Sequence, residues 1–146
     1  MKRYIHTVLC CLFLLCSSSM YAQQGLQIAS IFQKYGNQKG ATYVELSKTL
    51  SKAWDITHYQ SLKLNKVEKA LPEIYRCLDI DREKAKKIKE VVTNGQIQSG
   101  YYQLPPVKEY INRFILFRLG KKGDATLIYI EGEIDSDDLV TMMFSK

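Results

Sequence analysis

Histidine, tryptophan and proline are scarce in this chain, at two, one and three residues of 146. Because His6 lies close to the N-terminus, His58 is the sole imidazole of the remainder, and a conventional zinc site would have to borrow carboxylates from distant segments. The same shortage weighs against nucleophilic catalysis, which needs a base beside an activated Ser, Thr or Cys, and no Gly-x-Ser-x-Gly elbow surrounds any serine. Gly36-Asn37-Gln38-Lys39-Gly40 lacks the Gly-Lys-Ser/Thr ending of a phosphate-cradling loop. Few prolines and 46% apolar residues argue against wholesale disorder. The apolar stretch from Val8 to Cys16 has about half of the roughly 20 residues a bilayer-spanning helix needs.

What is present begins with an address. Lys2 and Arg3, the apolar stretch, and then Ser17-Ser18-Ser19-Met20-Tyr21-Ala22 follow the charged, apolar, small-polar order of a secretory signal. The reading is a cleavable signal peptide over 1–22 and one domain over 23–146, exported to the periplasm or cell envelope. No transmembrane segment is expected after cleavage. A lipidated Cys16 is the rival reading, but the bulky Leu15 directly before it argues against an anchor there. Cleavage after Ala22 would remove Lys2, Arg3 and no acid, lowering the net charge from +6 to +4. It would also remove Cys10, Cys11 and Cys16, leaving Cys77 without an internal disulfide partner. A lone cysteine in an oxidising compartment persists by being buried and inert.

Charge is unevenly spread. From 30 to 123 there are 18 basic and nine acidic residues; from 124 to 146 there are six acids and one lysine. Such asymmetry favours orientation toward a partner without naming one. Nucleic acid is not expected, because no contiguous Lys/Arg stripe accompanies Tyr101 and Tyr102 and export opposes it.

Periodicity supplies the elements. Ile28, Ile31, Phe32 and Tyr35 recur at helical spacing, so 24–35 reads as an amphipathic helix ended by Gly36-Asn37. A strand is predicted over 41–46, a short helical turn over 47–54, and a second strand within 56–64, where Leu62 and Leu64 alternate with Ser61 and Lys63. A weakly patterned helix over 64–71 gives way at Pro72, which should open a new first turn or kink the helix before it. Asp81 is the predicted N-cap of a helix over 82–92, with Ala85, Ile88, Val91 and Val92 as its apolar stripe and Asn94-Gly95 as its stop. Strands follow over 96–104, 112–119 and 125–134, the last two joined by a hairpin loop at 120–124. Asp135 or Ser136 should cap a final helix reaching Phe144, with Leu139, Met142 and Met143 pressed onto the sheet. These elements sum to an α+β domain: an antiparallel sheet of about four to five strands with helices packed mainly on one face.

Chemistry-bearing residues are few. The acids at Asp79, Asp81, Asp135, Asp137 and Asp138 have calcium-loop spacing but lack the glycine and distal glutamate of such loops, so helix capping is the better reading. No metal or other cofactor is expected. Candidate binding residues are Tyr101, Tyr102 and the basic set Arg82, Lys86 and Lys89. An alternative is a small hydrolase or transferase using His58 with Glu131, Glu133 or Asp135 as its acid-base groups. A third possibility is assembly through a sheet edge, for which 96–104 is the strand to test.

The order of a signal ending in Ala-Gln, the 85–90 run Ala-Lys-Lys-Ile-Lys-Glu, Asn94-Gly95, the 99–104 run Ser-Gly-Tyr-Tyr-Gln-Leu, Asn112-Arg-Phe-Ile-Leu-Phe117 and the 127–134 run Leu-Ile-Tyr-Ile-Glu-Gly-Glu-Ile resembles small exported families of Bacteroidetes described as domains of unknown function. The resemblance implies an envelope location and a compact α+β domain, and brings no catalytic residue. The function expected is a non-enzymatic binding or interaction module whose partner is an envelope protein or a small ligand.

Overall fold

The computed structural model describes residues 25–47 and 55–144, with side chains described through 141. The expected signal at 1–22 and all but the first residue of the expected turn at 47–54 lie outside the described residues. Among the described residues nine elements follow in order: α1 (Ile28–Tyr35), β1 (Ala41–Ser47), β2 (Ile56–Leu64), α2 (Leu71–Arg82), β3 (Lys87–Thr93), β4 (Gln96–Lys108), β5 (Ile111–Leu119), β6 (Ala125–Gly132) and α3 (Ser136–Phe144). The strands form one antiparallel sheet in the order β1-β2-β6-β5-β4-β3.

This corrects the expected architecture. Among the described residues the domain is mostly sheet, with six strands rather than four to five and three short helices rather than a helical layer on one face. The main error lies at 82–92. The helix of that region is α2, which ends at Arg82 with Pro72 in its first turn, where a missing N–H costs no hydrogen bond. Beyond it, Ile88, Val91, Val92 and Thr93 are β-branched, and Asn94-Gly95 closes a two-residue hairpin instead of ending a helix. Both turn residues have positive φ, 52° and 74°, the backbone a tight hairpin of this kind requires. The prolines at 105 and 106 do not end β4 at Leu104. They sit in a register shift between Leu104 and Lys108, where the ladder to β5 is interrupted and no proline N–H is needed.

Asp81 does not begin a helix at 82. Fully buried inside α2, it caps α1 from outside: its Oδ1 accepts the Gln27 N–H at 2.8 Å and its Oδ2 the Ile28 N–H at 2.9 Å. α1 has no side-chain cap of its own, so a carboxylate 53 residues away satisfies its first donors. The expected stripe of α1 holds, since Ile28, Ile31, Phe32 and Tyr35 are all buried.

Two cores lie on opposite faces of the sheet. α1 and α2 close over Leu62, Leu64, Tyr102, Leu104, Ile115, Phe117, Leu127 and Tyr129, and this is called the first face. On the second face, Ile56, Tyr101, Phe114, Leu116 and Ile130 pack with Ile134 and with Leu139 of α3. α3 starts as expected at Asp135, whose Oδ1 accepts the N–H groups of Asp137 and Asp138 at 2.9 and 2.8 Å. Cys77 is buried on the inner side of α2, as its apolar setting implied. Among the described residues no helix is long and apolar enough to cross a membrane.

Candidate functional site

Antiparallel register sorts side chains into rows that cross the sheet, because directly opposite residues share a face. One row on the first face runs Ser47, His58, Glu131, Arg113 and Leu104; the next runs Glu45, Gln60, Tyr129, Ile115, Tyr102 and Ile88. A bulge at Thr57 makes the first of these possible. Ile56 pairs with Gly132 and His58 with Glu131, so the extra residue sends Ile56 to the second face and keeps His58 beside the glutamate.

The polar ends of these rows are tied together. Tyr129, fully buried, donates its hydroxyl to Glu131. Gln60 donates to the Tyr43 hydroxyl at 2.9 Å and to Glu45 at 3.1 Å, while Tyr43 donates to the other Glu45 oxygen at 2.9 Å. Arg113 donates Nε–H to the Pro105 carbonyl at 2.8 Å. Burial, reinforced by the glutamate acceptor, raises the Tyr129 phenol far above its ordinary range, and the same causes push Tyr43 up to about 12. Both remain neutral donors at physiological pH.

The acid-base set proposed for a hydrolase is only partly assembled here. Glu131 is the cross-strand neighbour of His58, but the nearest carboxylate contact of the histidine is Glu45, at 3.8 Å and beyond a hydrogen bond. Glu133 is exposed past the end of β6, and Asp135 is committed to capping α3. Among the described residues no three His, Cys, Asp or Glu side chains gather as a metal site.

The binding candidates divide between the two faces. Tyr102 lies on the first face, 1% exposed, and reaches across Gly100 to donate to Glu90 at 2.7 Å. A Cβ at Gly100 would stand 2.7 Å from the tyrosine ring, so only glycine admits this path. Arg82 approaches the same Glu90 at 3.4 Å, and burial again raises the Tyr102 phenol well beyond its usual range. Lys86 is exposed in the connection before β3. Tyr101 and Lys89 are cross-strand partners on the second face, and these two do meet at one site.

That site is a groove of about 460 Å³ between the β3–β5 end of the sheet and Val140 of α3. Its floor is set by register: Val91, Ser99 and Arg118 form one row, and Lys89 and Tyr101 belong to the next. Glu90 and Phe117 also border it, but their side chains are engaged on the first face, one with Tyr102 and the other in the core. Tyr101 is 8% exposed, its ring tilted against Phe114 at 5.9 Å. Burial raises its phenol, and Asp135 and Asp137 at the start of α3 push the same way. Lys89 and Arg118 form no ion pair among the described residues. Arg118, Ser99, Val91 and Val140 escaped the sequence reading because they come from four elements. The available signal was an arginine closing the apolar Phe114–Leu116 side of β5.

Fold and groove define a two-cored, single-sheet domain with a basic, partly apolar recess on one face. The chain belongs to a family of unknown function (DUF6108), which matches residues 15–143. No curated protein and no solved structure matches it.

Proposed function

We propose that this chain is an exported, non-enzymatic binding domain whose ligand seats in the second-face groove. One observation carries the reading: Lys89 and Arg118, two cations without ion-pair partners among the described residues, stand over a recess of about 460 Å³ walled by Val91, Tyr101 and Val140. Recesses of this size with a few convergent polar groups are where small ligands bind. The order of residues 1–22 supports export.

Two measurements test it. A soluble-fragment screen by protein-detected NMR should give shifts that cluster at Ser99, Tyr101 and Arg118, and Ser99→Trp should abolish them while the remaining spectrum stays native-like. Hits that scatter over the surface, or that survive the blocking substitution, refute the groove. Mass spectrometry of the envelope fraction should find a chain beginning at Gln23; an intact N-terminus in a cytosolic pool refutes export.

A second reading is favoured by β3, which is the edge strand where 96–104 was expected to be. Ile88, Val91 and Val92 expose 42%, 57% and 53% of their surface along seven residues of unpaired edge. Cross-linking of the purified chain at Val92→Cys should capture a strand-paired partner if assembly uses this edge.

A further inference from the structure

Resting on the groove reading above, we infer that its ligand is an amphipathic anion, a free carboxylate headgroup on an apolar chain. The groove holds two kinds of surface. Lys89 on β3 and Arg118 on β5 flank β4 one row apart, about 12 Å from each other at the backbone by strand spacing and rise, within the combined reach of two long side chains above Ser99. The Ser99 hydroxyl sits on the same row as Arg118 and adds a donor at that point.

Among the described residues no carboxylate side chain forms an ion pair with these cations. Glu90 borders the groove with its main chain, while its carboxylate accepts the Tyr102 hydroxyl at 2.7 Å on the other face, 3.4 Å from Arg82. The remaining acids near the groove, Asp135 and Asp137, face Tyr101 from the start of α3. They repel a negative headgroup from that end and leave the Arg118 end to receive it.

The tail has its own surface. Val91 is 57% exposed and Val140 is half-buried, both lining the groove beside the Tyr101 ring. A cationic ligand would meet Lys89 and Arg118 as like charges, and a neutral polar one would leave the valines unused. An arginine can take a planar carboxylate through two parallel hydrogen bonds, which a neutral hydroxyl cannot reproduce.

The test titrates the full chain calorimetrically with three ten-carbon probes kept below their aggregation limits: decanoate, decanol and decyltrimethylammonium. Decanoate should bind, with decanol at least about tenfold weaker through loss of one charge-assisted contact, and the ammonium should give no heat. Arg118→Gln should remove the preference for decanoate over decanol, and raising salt should weaken decanoate alone. Both cations are exposed, so Arg118→Gln and Lys89→Gln leave folding intact, which circular dichroism verifies. Equal binding of all three probes overturns the anion assignment while the groove reading stands. Binding of none of them, with fragment shifts still clustered at Ser99, overturns the ligand class. Absence of both signals overturns the groove itself.

Discussion

Asp81→Ala should be among the most damaging substitutions in this domain, although Asp81 touches neither the groove nor the polar rows. Its two oxygens hold the Gln27 and Ile28 N–H groups at 2.8 and 2.9 Å in a site with no solvent access. Truncation leaves both donors without acceptors, and a buried unsatisfied donor costs about 1–3 kcal/mol. Loss of an ordinary N-cap costs about 0.5–2 kcal/mol. Relief of the carboxylate's own burial offsets part of this, so the expected net loss is about 2–4 kcal/mol, read as a lower urea midpoint at unchanged slope. Asp81→Asn keeps one acceptor and should lose about half as much. Asp79→Ala is the control, since that side chain is 63% exposed and its ion pair among the described residues is with Arg82 at 3.6 Å; it should stay within about 0.5 kcal/mol.

The pH dependence carries a definite sign. Burial raises the Asp81 carboxyl above its ordinary value, against the two amide donors and the charges of Lys84 and Arg113, which pull it down. Between the unfolded value and the raised folded one, the folded state therefore keeps a proton that the unfolded chain has released. Stability from this group is fully present below about pH 4, the unfolded value, and declines as pH rises through the raised folded value. The advantage of the native chain over Asp81→Asn should thus be larger at pH 4 than at pH 7. Equal urea midpoints for Asp81→Ala and Asp79→Ala, or an advantage that grows with pH, would refute the reasoning.

Three further outcomes are expected. Tyr102 and Tyr129 are held protonated by burial and by their glutamate acceptors, so stability is present below pH ~10 and lost above it; tyrosinate absorbance should show a late fraction that appears only with loss of near-ultraviolet dichroism, and one smooth titration would contradict this. Gly100→Ala should cost about 1–3 kcal/mol by overpacking against the Tyr102 ring, and the extra loss should vanish in the Tyr102→Ala background. Leu139→Ala, at a fully buried site, should cost about 2–4 kcal/mol and weaken groove binding by loosening the α3 wall that Val140 supplies.

Elements whose pattern has one physical explanation are legible in the sequence. The Ile28–Tyr35 stripe fits only a helix, and the 120–124 loop between two apolar runs fits only a hairpin. Asp135 supplies the cap that two N–H groups need. The failure at β3 has a specific cause. Ala85, Ile88, Val91 and Val92 satisfy helical spacing, and three intervening lysines resemble a solvated helix face, yet an exposed edge strand looks the same because one side of it is free. Asn94-Gly95 favours either a helix stop or a hairpin, and the β-branched Val91-Val92-Thr93 before it decides for the hairpin. Tyr101 and Tyr102 were separable in advance, since neighbours on a strand point to opposite faces. Their distinct partners, Lys89 for one and Glu90 with Arg82 for the other, depended on knowing which strand lay beside β4. The groove shares that dependence, because Val140 arrives from a helix more than twenty residues beyond Arg118.

The extra residue at Thr57 acts as an indexing pin between the two cores. With it, Ile56 fills the α3 side while His58, Gln60, Leu62 and Leu64 all serve the other side. Deleting that one position would not shorten a loop; it would force a choice between exporting an isoleucine to the wrong compartment and swinging an imidazole into hydrocarbon. Length variation among homologous chains should therefore be tolerated at 109–110 and 120–124 and purged from the first three residues of β2.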